Sequence, residues 1–183
     1  MEEKTKIGKI LPIVGYGSPI LREVCIQVEN KPEVQQLIDD MIVTLAQIPT
    51  GCGLASTQVN SNLALFLAVL DGKLTVHNNP VIKKHRGSQK SNEGCLSIPS
   101  VYEVVDRPDI VDIVSYDRNF KEQKMRLRNF NSCIALHENM HLNGILFTDL
   151  LTKVGREQVA DKLSDIEKGI YKANYPMIYP DNL

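Results

Sequence analysis

The sequence predicts an α+β fold. Apolar and β-branched runs gather in the middle of the chain, and helical periodicities flank them on both sides. Strands and helices do not alternate as βαβ units, and neither GxGxxG nor a Walker pattern is present, which disfavours a doubly wound nucleotide fold. The 183 residues hold no internal repeat and no Gly/Ser linker, so residues 1–183 are expected to form one domain. With 43% apolar residues, that domain can bury a core without disulfide or metal staples.

The elements follow in order. Asn30-Lys31-Pro32 reads as a helix start, with Asn30 as cap and Pro32 in the first turn. Val34, Leu37, Ile38, Met41, Leu45 and Ile48 then recur at helical spacing, and Pro49 and Gly51 end a helix over 32–48. The wholly apolar run Leu63–Leu70 reads as a buried strand. Asp71-Gly72 supplies a turn into a second strand, Leu74–Ile82. Ile110–Tyr116 and Gln123–Arg128 flank another turn near Asp117–Asn119. A helix over 131–142 runs from Asn131 or Ser132 as cap to a stop at Asn143-Gly144. The last helix, about 155–172, carries Val159, Leu163, Ile166 and Ile170 on one stripe. Asn174–Leu183 contains two prolines and is expected to pack irregularly or fray.

Twenty-one Lys+Arg against twenty-two Asp+Glu leave a net charge of −1, which disfavours a protein that binds nucleic acid through phosphates alone. The longest apolar run is too short to cross a bilayer, and the acidic opening Met1-Glu2-Glu3-Lys4 makes a poor signal peptide. A soluble, cytoplasmic protein is expected. Cys25, Cys52, Cys95 and Cys133 are widely spread without a CxxC pair, so a disulfide framework is not expected.

The chemistry centres on His137-Glu138-Asn139-Met140-His141. Residues four apart on a helix differ by roughly 40° of azimuth, so both imidazoles leave one face and can share a metal. Glu138, about 100° around from His137, can reach water near that metal without being a ligand. A helix with two surface histidines is the bland alternative. Against it, Phe130, Cys133 and Ile134 share the face of His137, so the histidines sit on the inward stripe, where bare imidazoles need partners. A catalytic zinc-type site takes a third protein ligand, and Phe147 rules out the extended HExxHxxGxxH pattern. Cys95, Cys52, His77, His85 and scattered carboxylates are the candidates. Cys95 lies in Glu93-Gly94-Cys95-Leu96-Ser97-Ile98-Pro99, read as a loop in which Pro99 ends local pairing. Gly51-Cys52-Gly53-Leu54-Ala55-Ser56-Thr57-Gln58 offers glycines that let backbone receive a ligand and a Gln able to donate to an oxyanion.

Taken together, these three segments resemble the signature motifs of the peptide deformylases, in order. Gly51–Gln58 is similar to GxGLAxxQ, Glu93–Ser97 matches EGCLS, and His137–His141 fits HExxH followed by Leu-Asn-Gly. Ile10–Pro12 and Pro19–Arg22 also resemble the family's opening strand and turn. The resemblance implies small antiparallel sheets packed around a central HExxH helix, with a C-terminal amphipathic helix. It implies Cys95, His137 and His141 as metal ligands, Glu138 as general base and then acid, and Gln58 with the Leu96 N–H as oxyanion hole. Gly53, Phe130, Cys133 and Ile134 would line a substrate pocket for methionine. The implied cofactor is one divalent ion, Fe²⁺ natively, with Zn²⁺, Ni²⁺ or Co²⁺ able to substitute. The implied partners are N-formyl-methionyl peptides and, by family analogy, the ribosome exit region, without direct nucleic-acid or membrane binding.

Three departures matter, the first two more than the third. Met140 occupies the Asp position of HExDH, removing a carboxylate that could pair with an Arg such as Arg107. Tyr102 replaces an Arg after EGCLSIP, while Ser56 stands where Ala is usual. An active deformylase is therefore the first reading. The alternative is a deformylase-like paralogue that binds metal and peptide termini with little or no turnover. An HExxH endopeptidase comes third.

Overall fold

The structure, a computed structural model, describes residues 8–171 and 173–180; the acidic opening and the end of the expected tail lie outside them. In chain order the first elements are β1 (Ile13–Val14), α1 (Pro32–Ala46), β2 (Gly53–Ala55), β3 (Leu65–Leu70) and β4 (Lys73–Arg86). There follow β5 (Gln89–Cys95), β6 (Ile98–Arg107), β7 (Ile110–Tyr116), β8 (Glu122–Arg128), α2 (Phe130–His141), α3 (Lys153–Glu167) and β9 (Met177–Ile178). The α+β reading holds. The strands form an antiparallel sheet ordered β2-β3-β4-β7-β8, on which α2 packs, a β5-β6 hairpin and a β1-β9 pair. The last pair is parallel, so the sheets are not all antiparallel.

The turn between β3 and β4 behaves as its residues require. Asp71 and Gly72 both take positive φ, 49° and 76°, the backbone shape that matches strand twist in a two-residue hairpin. Strand β4 runs on to Arg86, past the expected end at Ile82. Its polar second half pairs with β7 across two register shifts, and such bulges erase the clean alternation by which a strand is recognised.

The β5-β6 hairpin corrects the loop expected at residues 93–99. Pro99 does not end pairing: it lies inside β6, at a register shift between the Gly94↔Tyr102 and Cys95↔Ile98 pairs, with Ser100 at φ 59°. A bulge is where a strand tolerates a residue without an N–H. On β5, Ser91 and Glu93 point inward and are buried, while Lys90 and Asn92 are exposed.

Three helix ends also differ. Lys31, not Asn30, caps α1, and the Asn30 side chain instead accepts from Gln35 Nε2. Helix α2 begins at Phe130, with Asn131 and Ser132 inside its first turn; the Ser132 hydroxyl donates to the carbonyls of Asn129 and Pro108. Gly144, at φ 69°, stops that helix as expected. Helix α3 ends at Glu167, short of residue 172, and Ile170 is 64% exposed beyond it. Gly169, at φ 66°, turns the chain out of the helix. The tail then docks: Met177 and Ile178 pair with Ile13 and Val14.

The apolar interior lies in three connected regions. One joins α1 to β2 and β3 through Ile38, Met41, Leu54 and Leu65. A second packs Val159, Leu163 and Ile166 of α3 on Val101 and Val105 of β6. In the third, Ile134 and Ala135 of α2 meet Phe66, Ala68 and Leu127 of the large sheet. Helix α2 is thus held against the sheet by one face. Among the described residues no helix is long and apolar enough to cross a membrane.

Candidate active site

The site forms where α2 faces the β5-β6 hairpin and β2. His137 and His141 leave one face of α2, with ring centroids 5.1 Å apart, and Cys95 reaches them from the end of β5. One ligand-type atom from each of Cys95, His137 and His141 lies within 4.8 Å of the others. Sγ of Cys95 is 3.2 Å from Nε2 of His141. Among the described residues, no other group of three such side chains converges in this way.

The polar surroundings of this trio set its protonation. Oε2 of Glu93 accepts from Nδ1 of His137 at 3.0 Å, and Arg107 holds the same carboxylate with Nε on Oε1 at 2.7 Å and Nη2 on Oε2 at 2.6 Å. Burial opposes the charged carboxylate, but the hydrogen bonds from Arg107 and His137 outweigh it and draw Glu93 down to about 2. Burial likewise opposes a charged His137, yet Cys95 and Glu93 lift it to about 10. His141, desolvated and beside the charge of His137, is held neutral, well below its ordinary value. One thiol and two imidazoles around a position that favours positive charge fit a borderline-soft divalent metal. The buried and unpartnered Nδ1 of His141 and Oε2 of Glu138 likewise point to groups beyond the protein.

Glu138, next to His137 on α2, lies against Gly53 of β2 and lines the cavity with Cys95 and His137. A Cβ on Gly53 would strike its carboxylate, so the glycine makes room for this side chain. Burial pushes Glu138 up to about 7; the charge of His137 lowers it and that of Glu93 raises it again. A carboxyl poised there can take and return a proton near neutral pH.

Gln58 is oriented from behind. Its Oε1 accepts the Ala55 N–H at 2.9 Å, which turns Nε2 toward Cys95 Sγ and Ser97 Oγ, each 3.4 Å away. A cavity of about 560 Å³ opens over these groups, and Gly53, Gln58, Cys95, Leu96, His137 and Glu138 all line it. Phe130, Cys133 and Ile134 line it too. Cys133 and Ile134 are buried, whereas Phe130 is 60% exposed and departs from the inward stripe expected of it.

The other candidate ligands lie elsewhere. His77 is fully buried in the large sheet, stacked on Phe66 and hydrogen-bonded to Thr75 and Ser115. His85 is exposed on β4, and Cys52 is exposed at the cavity lining. Met140 places its sulfur against Nη1 of Arg107, whose charge Glu93 already meets. The ring of Tyr102 covers Gly94, where a Cβ would collide with it.

The sequence profile described as Polypeptide deformylase matches residues 10–157. The chain belongs to the polypeptide deformylase family. It is 34% identical to the peptide deformylase of Salinibacter ruber over 94% of this chain and 96% of that one. Against the enzyme of Cytophaga hutchinsonii it is 35% identical, over 93% and 98%. The crystal structure of the Thermus thermophilus peptide deformylase matches with a TM-score of 0.82 at 32% identity, covering 88% of this chain and 100% of that one. That from Legionella pneumophila gives 0.82 at 30%, covering 90% and 99%. The protein is a deformylase, a metal-dependent hydrolase that removes N-formyl groups, and these relatives give no support to the non-catalytic alternative.

Reading the sequence named Arg107 only as a partner for a carboxylate at position 140 and gave Glu93 no role, whereas the structure pairs the two. The available signal was the spacing of Glu93 and Cys95, two apart and thus on one face of a strand, had residues 89–95 been read as one.

Proposed function

We propose that Cys95, His137 and His141 hold one divalent ion, Fe²⁺ natively, at which this domain deformylates formyl-methionyl N-termini in the cytoplasm. The bound ion supplies Lewis-acid activation of the attacking water. Glu138 accepts a proton from that water as oxygen adds to the formyl carbon. Negative charge then grows on the formyl oxygen, and Gln58 Nε2 and the Leu96 N–H donate to it. Glu138 passes the proton to the amine nitrogen as the C–N bond breaks, leaving formate and a free N-terminus. Glu93 keeps the His137 ring oriented throughout. Gly53, Phe130, Cys133 and Ile134 receive the methionine side chain. Nascent chains bearing the formyl group connect this activity to the ribosome exit region.

The observation that carries the reading is Glu138: a buried carboxyl with an unpartnered oxygen, lining the cavity together with Cys95 and His137. Formate release from a formyl-Met tripeptide, by protein loaded with Fe²⁺ or Ni²⁺, tests it. Glu138→Gln is expected to abolish turnover while one metal per chain is retained. Unchanged turnover in that variant would overturn the assigned role.

A further inference from the structure

The chain after α3 closes one side of the active-site cavity, which Tyr171, Ala173, Asn174 and Tyr175 line. This wall lies beyond residue 157, where the family match ends. It is anchored through backbone: Ile13 N–H donates to the Pro176 carbonyl and Gly15 N–H to that of Ile178, each at 2.8 Å. The Tyr175 ring, like Leu96 and Met177, packs against the apolar region that joins α1 to β2 and β3. From there its hydroxyl donates to the Leu96 carbonyl at 2.8 Å. Burial raises this phenol above its ordinary value, so it stays a donor at any working pH.

Leu96 and Ser97 are the two residues between the paired Cys95 and Ile98. From the other side, the Tyr16 N–H donates to the Ser97 carbonyl at 2.9 Å. Both carbonyls of this turn are thus engaged by groups from outside the hairpin. A short turn at a register shift lacks the ladder that would fix its peptides, so these outside donors decide its orientation.

We propose that Tyr175 is a positioning residue for deformylation: its hydroxyl grips the Leu96 carbonyl and so fixes the turn that presents the Leu96 N–H. The inference rests on the reading of that N–H as an oxyanion donor. A donor aimed at charge that develops during reaction acts on the transition state more than on bound substrate. Loosening it therefore lowers kcat and spares KM.

Tyr175→Phe keeps the ring and removes only the hydroxyl. The expected result is a kcat lower by roughly 10-fold, with KM within about 2-fold and Tm nearly unchanged. Amide hydrogen exchange at Leu96 and Ser97 is expected to accelerate by about 10-fold while exchange in α2 stays as in the parent. A lower Tm with unaltered kcat would make the hydroxyl merely structural and overturn the proposal. Unchanged exchange at Leu96 would overturn it whether or not the parent protein turns over. Absence of formate release by the parent would strike the functional reading alone, since the exchange measurement judges the clamp independently.

Discussion

Oε2 of Glu93 stands 3.0 Å from Nδ1 of His137. A histidine can offer one nitrogen to a metal only if its other nitrogen has a defined proton, and this carboxylate defines it. Glu93→Gln keeps the shape but replaces a charged acceptor with a neutral one. Metal affinity is expected to fall by about 10–100-fold, read by titration against a competing chelator.

Arg107 shows why Met140 is compatible with the site. Its Nε and Nη2 are committed to Glu93, leaving Nη1 against the thioether. Met140→Asp would add a carboxylate where the arginine charge is already met. We expect kcat/KM to change by less than the roughly 10-fold typical of lost partners around a ligand, measured on a formyl-Met tripeptide. A larger gain would identify Met140 as limiting.

Gly53 is the neighbour that Glu138 cannot do without. Any Cβ there meets the carboxylate, so Gly53→Ala is expected to shift the proton carrier by a fraction of an ångström or more. Such misplacement costs on the order of 100-fold in kcat. Metal content measured alongside should remain at the parental level, because the atoms an added Cβ meets first belong to Glu138 and not to a ligand.

His77 gives a pH dependence away from the site. Burial holds its imidazole at about 4 instead of 6.5, so the native protein refuses a proton that the unfolded chain accepts. Stability from this group is complete above pH 6.5, declines as pH falls toward 4 and then levels off. The loss amounts to about 3 kcal/mol across that window. Urea unfolding at several pH values should show a steeper acid loss in the parent than in His77→Gln.

The helices and the large sheet were legible because their inward positions are apolar at regular spacing: Ile38 and Met41 on α1, Leu65 and Leu67 on β3. The same rule hid β5. Its inward residues are Ser91, Glu93 and Cys95, chosen for the site and not for a core, so no hydrophobic period marks the strand. His137, His141 and Glu138 could be named from their motif and Cys95 through the family resemblance, whereas the pairing of Arg107 with Glu93, fourteen residues away on the strand opposite, could not. The tail escaped for a related reason. A two-residue strand flanked by prolines carries no pattern of its own, and only its partner near the start of the chain gives it a structure.

That partnership has a consequence for synthesis. Ile13 and Val14 leave the ribosome more than 160 positions ahead of the residues they pair with, Met177 and Ile178. Until then the cavity lacks the wall around Tyr175, even if the sheet and α2 have already come together. A copy still being made would therefore carry its ligand group in a cavity open on the side that these residues later cover.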